Sequence, residues 1–306
     1  MPELEGKPPL VVAAATDPGR KRERNEDAFG YALTPSGGVF MIADGMGGHS
    51  QGELAAKLAV ETALSVLEGK TISPGLLVEA LEAANRRIYE ASHLQEGESM
   101  GTTATLLAID APFGLVAHVG DSRAYLLRDG LLVQLTQDHS WVADRVRQGL
   151  LRPEEARTHR WRNVITNALG TFPEVEVDLL GLRLRPGDVF LLSTDGLHGV
   201  VGEETLARVL AQEPPAVAVE KLIELANAWG GPDNITAMVV GVRDVKGDAN
   251  KPYALALAGD QPVYIRSRSG DAVLALPHPR RRSYLVEAGL LVLWLLLLAY
   301  VLWGQR

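Results

Sequence analysis

The chain has 306 residues, is 46% hydrophobic and 22% charged, and carries 30 basic against 38 acidic residues, a formal net charge of −8. That composition supports a sizeable buried core and is unlike that of a disordered chain. Cysteine is absent, which excludes disulfides, thiolate metal sites and thiol nucleophiles and leaves oxygen or imidazole to hold any metal. The acidic excess argues against a general nucleic-acid-binding surface.

In chain order, LVVAAAT (10–16) and VFMIAD (39–44) read as strands, the second running into a glycine-rich turn. Gln51 to Leu67 carries Leu54, Leu58 and Leu64 at helical spacing, and a second helix opens near Ser73-Pro74 and runs to about Ser92. TTATLLAID (102–110) and GLVAHVG (114–120) are strands, and AYLLRDGLLVQLT (124–136) is a hairpin turning at Asp129-Gly130. A helix follows Asp138 and stops at Gly149, and the polar, Arg-rich residues 150–165 read as an exposed loop or flap. VEVDLLGLRL (175–184), DVFLLST (188–194) and NITAMVVGV (234–242) are strands, and residues 203–212 and 216–229 are helices. Antiparallel strand pairs with helices inserted as pairs predict an α+β domain of two stacked sheets with helices outside.

The remainder differs in charge. Residues 243–306 hold 9 basic and 5 acidic residues, against 21 and 33 in residues 1–242. Residues 243–284 read as a linker in which alternating stretches form a small β-meander. LVEAGLLVLWLLLLAYVLW (285–303) has Glu287 as its only charge, and a 3-residue tail (304–306) follows. As a helix this run spans ~28 Å, close to a hydrocarbon core of ~30 Å. Arg280, Arg281 and Arg282 precede it, which places residues 1–279 on the cytoplasmic side. No signal-peptide pattern opens the chain. The expectation is a single-pass cell-membrane protein with a cytoplasmic catalytic part.

Acids recur where apolar strands end beside glycine: Asp44-Gly45, Gly120-Asp121, Asp195-Gly196 and Pro232-Asp233 after Gly230-Gly231. Carboxylates that converge repel one another unless a cation neutralises them. Mg²⁺ and Mn²⁺ favour carboxylate, carbonyl and water oxygen. Glu26 and Asp27 add two further acids behind Arg20, Lys21, Arg22 and Arg24. That basic cluster reads either as a solvated loop or as an anion site beside the metals. His118 reads as a hydrogen-bonded core residue, and His49 and His139 as supports in motif loops.

TDPGRKRERNEDAF (16–29), MIADGMGGHSQGELAA (41–56), SMGTTAT (99–105), HVGDSRAYLLRDG (118–130), LTQDHS (135–140), ITNALG (165–170), LLSTDGL (191–197) and GGPDNIT (230–236) together resemble the PPM/PP2C family of metal-dependent protein serine/threonine phosphatases in its bacterial form. The resemblance covers roughly residues 10–242, in the family's order. It implies a four-layer α-β-β-α sandwich, two Mn²⁺ or Mg²⁺ ions per site and a third, weaker position. Asp44 is similar to the carboxylate bridging two metals, and Gly45 to the residue whose carbonyl binds the second. Asp195 and Asp233 resemble ligands of the first, and Asp121, with Asp195 shared, a ligand of the third. Glu26 and Asp27 match supporting acids, and Arg22 the phosphate-binding arginine. The implied reaction is in-line attack on phosphoserine or phosphothreonine by water activated between two metals. Phosphorylated proteins, Ser/Thr kinases and their substrates are the implied partners, without nucleic acid.

Three positions depart from the family pattern. Met46 stands where eukaryotic members usually have histidine, methionine being common in bacterial ones, Gly199 where many have an acid near the third metal, and Asn167 where an arginine is often found. Two rival readings are a silent phosphoprotein-binding module, which predicts a missing metal carboxylate, and a phosphoesterase for small molecules. No metal carboxylate is missing; the sequence leaves the second rival open.

Overall fold

The computed structural model describes residues 9–34, 36–47, 51–93, 100–254, 257, 259 and 261–266. A five-stranded sheet has the order β1 (Leu10–Asp17), β11 (Ile235–Val242), β10 (Val189–Ser193), β7 (Arg123–Arg128) and β8 (Leu131–Gln134). The other sheet runs β12 (Val263–Arg266), β9 (Asp178–Arg183), β6 (Phe113–Val119), β5 (Ala104–Asp110), β3 (Gly37–Gly47) and β2 (Asp27–Thr34), with β4 (Met100–Thr102) paired to β3. The strand pairings are antiparallel.

The long apolar strands are explained by burial of both faces. Along β3, Phe40 and Ile42 point between the sheets toward Phe190, Leu192, Met238 and Val240. Val39, Met41 and Ala43 point the other way, toward α1 (Gln51–Leu67) and α2 (Pro74–His93). On the other sheet, Leu191 and Val239 face α6 (Glu203–Gln212) and α7 (Pro215–Ala228). Side chains alternate across a strand, so one apolar run feeds two core layers. The result is the α-β-β-α sandwich expected from sequence.

Between α3 (Trp141–Arg147) and residue 167 runs the flap, which contains a short helix, α4 (Pro153–Thr158), where the sequence reads as loop. Pro153 opens α4, and the Glu155 carboxylate accepts from the Arg152 amide at 3.0 Å.

The described residues between 243 and 266, part of the expected linker, pack onto the domain. β12 extends the sheet along β9. Leu257 is fully buried, fitting where Gly181 leaves no room for a side chain. Lys251 pairs with Asp110 at 2.7 Å, Tyr253 meets Phe113 edge-on, and the Tyr264 hydroxyl donates to the Leu135 carbonyl at 3.0 Å. No helix among the described residues is long and apolar enough to cross a membrane, and residues 285–303 lie outside them.

If this strap belongs to the core, Leu257→Ala costs about 2–5 kcal/mol in urea unfolding, the usual loss for a buried leucine. An unchanged midpoint would show the strap to be a passive connection.

Candidate metal centre

The site is built where strands of both sheets end. Asp27 opens β2 directly opposite Asp44, near the end of β3. Residues paired in this way project to one face, so the register alone sets two carboxylates side by side. The other sheet reaches across to the first of them. Thr194, after β10, and Thr236, on β11, donate their hydroxyls to Asp27 Oδ2 at 2.8 and 2.6 Å. Asp27 Oδ1 is buried with no hydrogen-bond partner.

Asp44 is fixed through its main chain. Its amide donates to Thr103 Oγ1 at 2.9 Å, and its carbonyl accepts from Thr102 Oγ1 at 2.8 Å and from the Thr103 amide at 2.9 Å. Gly45 follows, its amide donating to the Glu26 carbonyl at 3.1 Å. A Cβ on Gly45 would lie 2.0 Å from the Gly52 carbonyl oxygen in the first turn of α1. Glycine is required here by close backbone approach.

Asp195 begins α5 (Asp195–His198), and its carboxylate lies within hydrogen-bonding reach of Asp44. The adjoining Gly196 packs against the Asn234 carbonyl so tightly that a Cβ would stand 2.0 Å away. Asn234 also joins the Asp233 turn to the Arg22–Asp27 loop. Its Oδ1 accepts from the Glu26 amide at 2.8 Å, while Nδ2 donates to the carbonyls of Pro18 at 3.0 Å and Arg24 at 2.8 Å. Arg22 Nη2 donates to Asp233 Oδ2 at 2.8 Å. Asp121 follows Gly120, whose φ of 105° suits glycine. Behind it, Arg123 grips Asp138 through two hydrogen bonds of 2.8 and 2.7 Å.

Asp27, Asp44, Asp121, Asp195 and Asp233 therefore lie near enough to act on one another electrostatically, with Glu26 and Asp233 near Arg22. Asp44, Asp121, Asp195 and Asp233 are half-buried, while Asp27 is buried. Burial and then mutual repulsion raise the pKa values of four acids: Asp195 to about 6, Asp27 to about 7, Asp121 to about 8, and Asp44 well above the carboxylate range. Glu26 is raised by burial, and Asp233 holds the Arg22 guanidinium still more firmly charged. Among the described residues, no group of three or more acidic or imidazole side chains is placed so that it could hold a metal ion by itself. Carboxylates of this kind suit hard divalent ions that take a few protein oxygens and keep several waters. An orphaned carboxylate oxygen and a cluster of acids resisting ionisation both fit such ions.

Other positions resolve individually. His118 is a core residue, 3.0 Å from Thr105 Oγ1 and 3.1 Å from the Gln137 carbonyl, with burial depressing its pKa to about 3. Met46 packs beside β4 on Gly101, Gly199 is exposed, and Asn167 donates to His139 and to the Glu176 carbonyl. His49 lies outside the described residues. Thr102, Thr103, Thr194, Thr236 and Asn234 were given no individual role by sequence. A threonine in a strand reads first as β-propensity, and only the fold reveals its hydroxyl's partner.

A family model described as protein phosphatase 2C matches residues 19–227. The chain belongs to the protein phosphatase 2C family. It is 41% identical over 257 residues to the serine/threonine protein phosphatase PstP of Mycobacterium tuberculosis, covering 82% of this chain and 49% of PstP. It therefore spans about half the length of that curated relative. Protein phosphatase PhpP of Streptococcus pneumoniae is 36% identical over 243 residues, covering 77% of this chain and 98% of PhpP. Among solved structures, the PstP catalytic domain in complex with two manganese ions superposes with a TM-score of 0.69 at 37% identity, covering 77% of this chain and 99% of that one. Two antiparallel sheets and an α+β architecture are thus shared with this phosphatase 2C relative.

The acid cluster has a measurable consequence. Asp27, Asp121 and Asp195 bind protons more tightly folded than unfolded, so their contribution to stability is lost as pH rises through about 6 to 8. In chelator, the melting temperature of the wild type should fall over that window relative to Asp27→Asn, and Mn²⁺ should restore it. Parallel pH profiles for the two proteins would contradict the crowding of these acids.

Proposed function

We propose that this chain hydrolyses phosphoserine and phosphothreonine on proteins with two Mn²⁺ or Mg²⁺ ions. The observation that carries this reading is the placement of Asp195 within reach of Asp44 and of Asp233 against Arg22, all four half-buried or exposed. Asp44, the carbonyl of Gly45, Asp195 and Asp233 would hold the ion pair, and Asp121 with Asp195 a third ion. Glu26 and Asp27 support them. When bound, such ions supply Lewis acidity and make water nucleophilic near neutral pH.

The chain's own groups have separable tasks. Arg22, roughly half exposed at 53%, presents a guanidinium beside the acids. There it orients the phosphoryl group and offsets charge building on its oxygens. Threonine hydroxyls and Asn234 hold the carboxylates in place, so little reorganisation is left for the reaction. Met46 carries only a thioether, so this side chain supplies no proton to the departing alkoxide. Without cysteine, no thiol phosphoenzyme forms. The flap, which exposes Leu150, Trp161 and Val164, favours protein substrates over metabolites. The names of the relatives support the same class.

Residues 1–242 are read as the catalytic domain, with the strap docked on it, residues 285–303 as a membrane anchor and 304–306 as a tail. The 19-residue apolar run and its preceding arginines support a cytoplasmic catalytic part at the cell membrane. Tethering there fits opposition to membrane-associated Ser/Thr kinases and action on their substrates.

Phosphate release from a phosphothreonine peptide should require Mn²⁺ and fall about 100-fold or more in Asp44→Asn. Arg22→Ala should raise KM about 10- to 100-fold, the worth of a charge-assisted hydrogen bond. Full activity in Asp44→Asn would refute the bridging assignment. Removal of residues 285–306 should move the protein from the membrane fraction to the soluble one; unchanged fractionation would refute the anchor.

A further inference from the structure

His139 lies between the Asp121 loop and the flap, and its ring is buried at 1% exposure. One side of the ring meets Asp178, with Nε2 at 3.1 Å from Oδ2. On the other side, Nδ1 receives the Gly120 amide at 3.2 Å and lies 3.0 Å from Asn167 Nδ2. A backbone amide can only donate, so Nδ1 is the acceptor and the ring proton sits on Nε2, directed at Asp178.

The main chain of His139 repeats both connections. Its amide donates to the Gly120 carbonyl at 2.7 Å, and its carbonyl accepts from the Thr166 amide at 2.8 Å. Residue 120 is therefore held at both its N–H and its C=O by one residue. Gly120 has little freedom of its own, since a Cβ would stand 2.6 Å from Thr103. Thr103 in turn receives the Asp44 amide. On the flap side, Trp141 donates its amide to Val164 at 2.8 Å, so the returning chain lies across residues 139–141.

We propose that His139 is a positioning residue that sets the Asp121 carboxylate and ties its placement to the flap. Asp178 fixes the ring tautomer, and Asn167 supplies the flap-side donor. The inference rests on the reading of Asp121 as a metal ligand. An ordered Asp121 loop then favours an ordered flap, and ion binding at Asp121 tightens residues 164–167.

The test is Mn²⁺ titration calorimetry of the full chain with Asp121→Asn, His139→Ala and the double variant, alongside hydrogen exchange at the Thr166 and Trp141 amides. Asp121→Asn and His139→Ala should each weaken the weakest Mn²⁺ step about 10- to 100-fold, and the double variant should lose no more than either. Mn²⁺ should slow exchange at both amides in the wild type and several-fold less in His139→Ala and Asn167→Ala, where only the main-chain bonds of residue 139 remain. The Asn167→Ala variant keeps the buried ring and decides the question by exchange if His139→Ala does not fold. Unaltered binding in Asp121→Asn would overturn the metal reading of Asp121 and this proposal with it. Weakened binding in Asp121→Asn beside wild-type binding in His139→Ala, multiplying effects in the double variant, or Mn²⁺-dependent slowing retained in full in Asn167→Ala would overturn the positioning role alone.

Discussion

Carboxylates brought together where water is scarce repel one another, and the architecture is arranged around that repulsion. Asp27 and Asp44 are paired by strand register, Asp195 is within reach of Asp44, and Asp121 and Asp233 close the group. Left to themselves such acids would separate or take up protons. Here they are held in place, Asp44 through its main chain, Asp27 by two threonine hydroxyls and Asp233 by Arg22. A bound cation would relieve that repulsion.

The means of fixation are small and uncharged. Two threonines pin the backbone of Asp44, two more from the opposite sheet cap Asp27, and one asparagine fastens the Asp233 turn to the Arg22 loop. Glycines at 45 and 196 let helix and turn press against the strand ends. A hydroxyl or amide adds a directed hydrogen bond without adding charge, so it leaves the field at the cluster to the acids themselves. The sandwich provides the rigid ends, and the polar ties provide the alignment.

Much of this was legible in the sequence where local rules and tertiary packing agree. The Gln51–Leu67 helix matches its expected bounds, and Asp129-Gly130 turns with both φ values positive, as its hairpin requires. β2 was harder to delimit, because Tyr31 and Leu33 are exposed and its run is broken by Gly30. α4 has no apolar stripe and is held by a local Arg152–Glu155 contact, so periodicity gives no signal. β12 is four residues long and gains its strand character from β9. At the site, the acids and their glycines announced themselves by pattern. The residues that aim them did not, since their partners lie far away in sequence.

The central claim is that the gathered acids hold divalent ions. Crystals grown with Mn²⁺ and measured at the manganese absorption edge address it directly. The account predicts strong anomalous peaks at ligating distance from Asp44, with Asp195 and Asp233 on one of them and the Gly45 carbonyl on another. Anomalous density confined to other acidic surfaces, with Arg22 still bound to Asp233 and no peak beside Asp44, would contradict it.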